Sequence, residues 1–237
     1  MSHHDRQGRE RVVLVAGGTG GLGRAVSLAF LANGDRVAAT YRDERERAEL
    51  ETAAGESQSR LSVHAVDVTR EDDVRTLVGS ISQKHGQIDA LVNAVGGYGG
   101  GKLWEGDGSL LDRMLDLNLR SGYVLSRAVV PVMLARGSGA IVNVAARAAF
   151  DHAAGLACYA AAKAAAVALI DSLAADLAGT GVRANSILPS IIDTPANRKA
   201  MPTADFSKWP KAEEIARVVV FLCGDDARLI SGAAIPV

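Results

Sequence analysis

The fold of this chain is decided by the stretch Ala16-Gly17-Gly18-Thr19-Gly20-Gly21-Leu22-Gly23. The apolar run Val12–Ala16 predicts a buried strand, and the run from about Gly21 to Ala32 predicts a helix. Glycines between a strand and a helix let a phosphate approach the backbone, and the helix N-terminus favours its negative charge. In this context the stretch indicates a nucleotide-binding turn rather than an ordinary tight turn.

Short apolar runs alternate with longer amphipathic runs along the rest of the chain. Further strands are predicted at Arg36–Tyr41, Leu61–Val66, Ile88–Val92, Ala140–Val144, Arg183–Leu188 and Ala233–Val237. Further helices are predicted from Asp43 onward and at Glu71–His85, Ser109–Asn118, Leu119–Arg136, Leu156–Ala178 and Ala212–Leu222. The alternation predicts an α/β Rossmann fold, in which a doubly wound parallel sheet lies between two helix layers and binds ligands at its carboxyl edge.

The pattern predicts one domain over residues 11–237, preceded by a flexible tail at residues 1–10. Residues 190–210 are predicted to form a long irregular loop. A loop of this length in a compact domain is often a functional lid, so we expect it to cover the substrate.

Composition excludes several classes of partner. The formal net charge is -1 and no long basic run occurs, which argues against nucleic acid. Cys158 and Cys223 lie far apart, which favours a reducing compartment over a disulfide framework or a metal site. The N-terminus lacks the apolar core of a signal peptide, and no run is interpreted as a membrane span. These features predict a soluble, cytoplasmic protein.

Tyr159 and Lys163 stand four residues apart in the helix-prone run Cys158-Tyr159-Ala160-Ala161-Ala162-Lys163. This spacing places the phenol and the ammonium on one helix face. A phenol titrates near pH 10 and serves as an acid or base at neutral pH only if a nearby cation stabilises its anion. The pair alone is weak evidence, because surface helices contain it by chance.

Together, the glycine stretch and the Tyr159/Lys163 pair resemble the short-chain dehydrogenase/reductase family over nearly the whole chain. The resemblance implies NAD(P)H-dependent hydride transfer to a C=O or C=N carbon of a small molecule. It assigns Tyr159 as proton donor and acceptor, and Lys163 as the group that lowers its pKa and binds the nicotinamide ribose. Asn118 would hold a water in a proton relay. Ala-rich helices pack at subunit interfaces in this family, which implies a homotetramer or homodimer.

The resemblance also implies where the cofactor binds. Tyr41 occupies the usual acidic position of NAD enzymes, and the following Arg42 can pair with a 2′-phosphate, which favours NADP(H). Asp43 is an alternative ligand for a ribose hydroxyl, which leaves NAD(H) open. The implied cofactor residues are Gly17, Thr19, Gly20, Gly21, Leu22, Gly23, Tyr41, Arg42, Asp67, Val68, Asn93, Ala94, Val95, Tyr159, Lys163, Pro189, Ile192 and Thr194.

One catalytic position departs from the family pattern. Family members carry a serine thirteen residues before the tyrosine, where it donates a hydrogen bond to the substrate oxygen. Ala146 stands there and Ala145 precedes it, and neither can donate. Three hypotheses follow: a substrate that needs no donor, a non-catalytic NADP(H)-binding regulatory protein, or another donor. The candidate donors are Ser190, Asn143, Arg147 and His152.

The lid segment from Asp193 to Trp209 resembles that of dihydropteridine reductases, which also lack the serine and reduce a C=N-containing ring. A dihydropteridine-reductase-like enzyme is therefore an alternative. In either case we expect an apolar substrate pocket with polar points. Its predicted residues are Arg147, Phe150, His152, Ser190, Met201, Phe206 and Trp209, with Tyr98 beside them.

Overall fold

The structure is a computed structural model that describes residues 10–237, so the predicted tail at residues 1–10 lies almost wholly outside the described residues. Seven strands form one parallel sheet in the order β3-β2-β1-β4-β5-β6-β7. They are β1 Val12–Ala16, β2 Arg36–Tyr41, β3 Leu61–Ala65, β4 Ala90–Asn93, β5 Gly139–Val144, β6 Val182–Leu188 and β7 Ala234–Pro236. This order confirms the predicted doubly wound sheet.

Helices cover both faces of the sheet. They are α1 Gly21–Ala32, α2 Glu44–Ala54, α3 Glu71–His85, α4 Ser109–Leu115, α5 Ser121–Arg136, α6 Ala157–Asp176, α7 Pro195–Ala200 and α8 Ala212–Leu222. One apolar core joins the sheet to α1, α2 and α8, and a second joins it to α3, α5 and α6. The sheet is thus the middle of three layers, and its central strands β1, β4 and β5 are buried on both faces as the near-continuous apolar runs predict.

The structure corrects two predicted elements. Instead of separate helices that meet near Asn118, α4 and α5 are joined by a π-helical turn at Asp116–Arg120. The Asn118 side chain donates to the Met114 carbonyl at 3.0 Å, which stabilises the widened turn instead of ending the helix. The loop at 190–210 is also partly helical, because Thr194 caps α7 and Pro195 occupies its first turn.

Helix α6 corrects the expectation about membrane spans. Its 20 residues are long and apolar enough to cross a membrane by length and composition alone. In the fold, however, Ala162, Ala166 and Ile170 are buried against the rest of the chain, and Lys163 is buried with them. The apolar composition of α6 therefore reflects packing against the sheet.

Candidate active site

The predicted site residues converge at the carboxyl edge of the sheet. Strands β1 and β4 are neighbours in space, although the chain passes through β2 and β3 between them. At such a switch point the connections leave in opposite directions and open a crevice. The turn after β1 is fixed there by Thr40, whose side-chain oxygen accepts from the Gly17 amide at 2.9 Å and whose carbonyl accepts from Gly18 at 3.0 Å. Sequence reasoning did not assign Thr40 to the site.

The glycine turn has the shape of a cradle for a phosphate group. Gly17 has φ +69°, a conformation that side chains disfavour. A Cβ at Gly23 would lie 1.9 Å from the Gly17 carbonyl oxygen, and one at Gly21 would lie 2.9 Å from Cγ2 of Thr194. Gly20, by contrast, faces open space, and no side chain caps α1 at this position. The free N–H groups at the start of α1 therefore fit a pyrophosphate.

The far end of this crevice carries the groups that would meet the adenosine half of a dinucleotide. The Tyr41 hydroxyl donates to Glu44 at 2.9 Å, and Asp43 caps α2 by accepting from the Arg45 amide at 2.8 Å. Arg42 is exposed and, among the residues the structure describes, has no ion pair. The pKa of the nearby Asp67 is lowered, first by hydrogen bonds from Thr69 and then by the charge of Arg42.

Lys163 is buried at the centre of the site. Its Nζ donates to the Val144 carbonyl oxygen at 2.9 Å, and only 4% of the residue is exposed. Burial lowers the pKa of this ammonium to about 8. A Cβ at Gly96 would lie 3.2 Å from Nζ of Lys163 and 3.0 Å from Oδ1 of Asn118. Gly96 thus lets these two predicted catalytic side chains approach each other, a role that the sequence did not reveal.

Asn118 is held rigidly beside Lys163. Its Oδ1 accepts from the Gly97 amide at 3.1 Å, and its Nδ2 donates to the Gly97 carbonyl at 3.0 Å. The side chain is therefore held mainly by the loop after β4, and its part in a proton relay stays a prediction. The π-helical turn leaves backbone groups outside the regular helical ladder, which is a frequent feature of functional sites.

Tyr159 is half-buried, and its ring meets that of Tyr98 edge to face with the centroids 5.4 Å apart. Burial, and secondarily the neighbouring Tyr98, raises the pKa of Tyr159 above its ordinary value. The lowering of this pKa by Lys163, which the resemblance implies, is not seen in this geometry and stays a prediction. The reason is geometric, because Nζ of Lys163 lies 5.9 Å from the Tyr159 ring centroid and is directed to the Val144 carbonyl.

The asparagines at the ends of β4 and β5 have structural roles. Asn93 donates to Oδ1 of Asn143 at 2.9 Å and accepts from the Val95 amide at 3.2 Å. Both asparagines are only 2% exposed. Asn143 therefore lies beneath the site surface, and within the described chain its Nδ2 has no hydrogen-bond partner, so its role as a donor stays a prediction.

The other predicted substrate residues are spread around the rim. Arg147 pairs with Asp151 at 3.1 Å, while Phe150 and His152 are exposed. Ser190 is exposed too, and its amide donates to the Val237 carbonyl. Ala146 is 9% exposed and brings no donor to the site. Within the described chain, none of these side chains forms a hydrogen bond or a ring contact with Tyr159, and their role stays a prediction.

The segment at residues 190–210, predicted as a lid, forms a loop whose two ends lie side by side. Its two ends are joined where the Asp193 amide donates to the Pro210 carbonyl at 2.9 Å. Inside it, the rings of Phe206 and Trp209 lie 4.9 Å apart, and Arg198 covers Phe206. Met201 precedes this cluster in the chain and is partly buried. The contact of Thr194 with Gly21 places the start of the lid over the glycine turn.

The remaining implied cofactor residues line the same edge. Ala94 donates to the Ala16 carbonyl, and the Pro189 carbonyl accepts from Arg147. Leu22 and Val68 are buried, and the Ile192 carbonyl accepts from the Asn197 side chain at 2.8 Å. Thr19 is buried and its hydroxyl donates to Glu46 at 3.2 Å.

A cavity of about 900 Å³ lies at the opposite edge of the sheet, but its Arg136 and Arg11 are paired with acidic residues.

Comparison with known proteins agrees with this geometry. Residues 11–205 match the family described as short chain dehydrogenase. The chain belongs to the short-chain dehydrogenase family. It is 33% identical to 2-(R)-hydroxypropyl-CoM dehydrogenase of Xanthobacter autotrophicus, over 95% of this chain and 96% of that relative.

Two solved structures that hold a nicotinamide cofactor show the same fold. ElxO with NADP bound is 25% identical with a TM-score of 0.90, over 96% of each chain. NAD⁺-bound xylitol dehydrogenase is 25% identical with a TM-score of 0.87, over 96% of this chain and 97% of that one. The chain is thus an oxidoreductase of the short-chain family that binds a nicotinamide cofactor and transfers hydride. The comparisons do not favour the dihydropteridine-reductase-like or the non-catalytic hypothesis.

Proposed function

We propose that the protein is an NADPH-dependent reductase that reduces a C=O or C=N group of a small molecule. The observation that carries this proposal is that Tyr159 and the buried Lys163 lie one turn apart on α6, and that Lys163 is hydrogen-bonded to the end of β5, at the same sheet edge as the glycine turn. We also propose that residues 11–237 act as one domain, with residues 190–210 as the substrate lid.

The proposed direction, reduction, is supported by the protonation of the site. The raised pKa of Tyr159 keeps the phenol protonated at neutral pH, as a proton donor requires. The cofactor supplies the hydride when it is bound, and Tyr159 supplies the proton to the substrate oxygen or nitrogen. Lys163, with its pKa of about 8, supplies positive charge next to the phenol at neutral pH and loses that charge above it. Both features favour reduction near neutral pH.

The experiment is a turnover screen that follows NADPH oxidation at neutral pH. The panel contains aliphatic and aryl ketones, 3-oxoacyl thioesters, cyclic imines and quinonoid dihydropterin. Turnover on a ketone or imine is the expected result. The name of the matching hydroxypropyl-CoM dehydrogenase refers to an alcohol, which supports a carbonyl as the oxidised partner. Tight NADPH binding without turnover across the panel would contradict the proposal and revive the non-catalytic hypothesis.

The choice of NADPH over NADH depends on Arg42. Its exposed guanidinium follows β2, where a 2′-phosphate would lie, while Asp43 is occupied as the cap of α2. We expect Arg42→Ala to weaken NADPH binding by about 10- to 100-fold, the scale of hydrogen bonds to a charged group, and to leave NADH binding nearly unchanged. Titration of nicotinamide fluorescence measures both affinities.

Arg45→Ala is the matched control for Arg42→Ala, because Arg45 is also an exposed arginine and it faces Glu49 at 3.8 Å. It is expected to leave both affinities unchanged. A wild-type preference for NADH would contradict the proposal, and it would point to an acidic ligand such as Asp43 or Glu46 for the ribose.

We propose a homodimer or homotetramer in the cytoplasm. Support comes from α5 and α6, which expose Leu134, Ala161 and Ala168 on their outer faces. Small and apolar side chains of this kind allow helices of two subunits to pack closely. Sedimentation velocity at micromolar concentration should show the oligomer, and a profile of monomer alone would contradict it. Cell fractionation checks the location.

A further inference from the structure

The site lacks the donor that would stabilise negative charge on the substrate oxygen, because Ala146 has no hydrogen-bonding side chain. We propose that the hydroxyl of Tyr98 is this donor. Tyr98 would then be a second catalytic tyrosine, and it would direct the enzyme towards substrates whose oxygen or nitrogen lies between two phenols. The inference rests on the proposed function, since it concerns the same substrate atom.

Contact with Tyr159 is the first observation that supports this role. The two rings meet edge to face, with centroids 5.4 Å apart and planes inclined by 69°. Such packing fixes the orientation of one ring against the other. Of the polar side chains considered as donors, Tyr98 is the one that the described structure places against the proton donor itself. A substrate atom within reach of Tyr159 is therefore near the Tyr98 ring.

The second observation is that the Tyr98 hydroxyl is available. The residue is 71% exposed, and within the described chain its hydroxyl has no hydrogen-bond partner. The hydroxyl lies over Gly100, where an added Cβ would be only 2.7 Å from it. The same Cβ would be 3.2 Å from the Gly155 carbonyl, which places the hydroxyl beside the loop that leads into α6.

The third observation is how the loop around Tyr98 is anchored. On the N-terminal side of Tyr98, the Asn118 side chain accepts from the Gly97 amide and donates to the Gly97 carbonyl. After Tyr98, the Gly101 amide donates to the Gly155 carbonyl at 2.8 Å. Tyr98 is thus carried by a segment fixed at one end to the π-helical turn that bears Asn118 and at the other to the loop that leads into α6. This arrangement preorganises a donor, which is what stabilisation of a developing charge requires.

The remaining candidates fit less well. Asn143 is buried with Asn93, and the Arg147 guanidinium pairs with Asp151. Ser190 and His152 are exposed, with no described contact to Tyr159.

In the proposed step, Tyr98 donates a hydrogen bond but transfers no proton. When bound, the reduced cofactor would supply the hydride for the new C–H bond, and the π bond electrons of the carbonyl would move to oxygen. Tyr159 gives its proton to that oxygen, so that ketone, NADPH and one proton become alcohol and NADP⁺. Tyr98 keeps its own proton and donates a hydrogen bond to the oxygen while negative charge develops there.

The test compares Tyr98→Phe with the wild type on the best ketone of the turnover panel. Phe retains the ring and its packing but removes the hydroxyl. We expect kcat to fall by about 10²–10³-fold, the usual effect of losing one such donor, while the Kd for NADPH stays the same. Tyr123→Phe, which removes an exposed hydroxyl from α5, is the matched control and should change neither constant.

A second variant separates the donor role from packing. Ala146→Ser restores the family donor. It should change the kcat of the wild type little, but it should raise the kcat of the Tyr98→Phe variant at least about tenfold. If Tyr98→Phe keeps kcat within threefold of the wild type, the proposal is wrong. The same holds if the loss lies in KM alone or is not recovered by Ala146→Ser. Inactivity of the wild type on the whole panel would defeat the proposed function, and this proposal with it.

Discussion

Tyr159→Phe is expected to lower kcat by about 10²–10⁴-fold, the range that general acid catalysis supplies. The substitution removes the one proton that the crevice offers next to Lys163 and leaves the ring packed against Tyr98. Steady-state NADPH oxidation on an identified substrate measures the loss. Because the phenol acts as an acid, we expect kcat of the wild type to be highest near neutral pH. It should decline as pH rises past about 8, because Lys163 then loses its charge.

The interpretation of Tyr159→Phe requires that the fold and the cofactor site stay intact. NADPH affinity and thermal stability of the variant should therefore match the wild type, as should those of the Tyr123→Phe control. A variant that keeps most of its activity would show that the proton comes from elsewhere. That result would refute the proposed mechanism, whereas a loss specific to Tyr98→Phe with Tyr159→Phe active would assign the proton to Tyr98.

The fold could be predicted from local patterns because each element carries its own signal. Parallel strands such as Val12–Ala16 are buried on both faces, so their sequences are runs of apolar residues. The helices between them have amphipathic sequences. The two errors have a common cause. The π-helical turn at Asn118 and helix α7 in the lid depend on side-chain hydrogen bonds, from Asn118 to Met114 and from Asn197 to Thr194, which periodicity does not record.

The site could be predicted only where a motif fixes a residue by its spacing. Tyr159, Lys163 and the glycine turn were found in this way, and the structure brings them to one edge of the sheet. The electrostatics were not predictable. Whether a phenol has a raised or a lowered pKa depends on burial and on the direction of Nζ of Lys163 towards the Val144 carbonyl, and spacing alone does not specify that direction.

Thr40 and Gly96 were missed for a related reason. Thr40 holds the glycine turn from the neighbouring strand β2, and Gly96, which lacks a side chain, lets Asn118 and Lys163 approach each other. Each acts through a contact between segments that are distant in sequence. No local pattern marks such a residue, although the run of glycines after β4 does indicate a loop that other groups approach closely.

Gly23→Ala is expected to weaken NADPH binding by at least about 10²-fold, the cost that a displacement of about 1 Å in a positioned site can have. An alanine Cβ would lie 1.9 Å from the Gly17 carbonyl oxygen and 2.8 Å from its carbon. Backbone cannot yield as a flexible side chain does, so the start of α1 must move away from the turn. The free N–H groups that would meet the pyrophosphate move with it.

Gly20→Ala is the matched control, because it adds the same methyl group to the same turn. The nearest atom to its Cβ would be 3.7 Å away, and Gly20 has φ -70°, which any residue adopts. We expect nearly wild-type NADPH affinity for this variant in a fluorescence titration, and wild-type thermal stability. Equal losses in both variants would mean that any bulk in the turn blocks the cofactor. Equal retention would mean that the pyrophosphate binds elsewhere, and the cofactor site proposed for this crevice would be wrong.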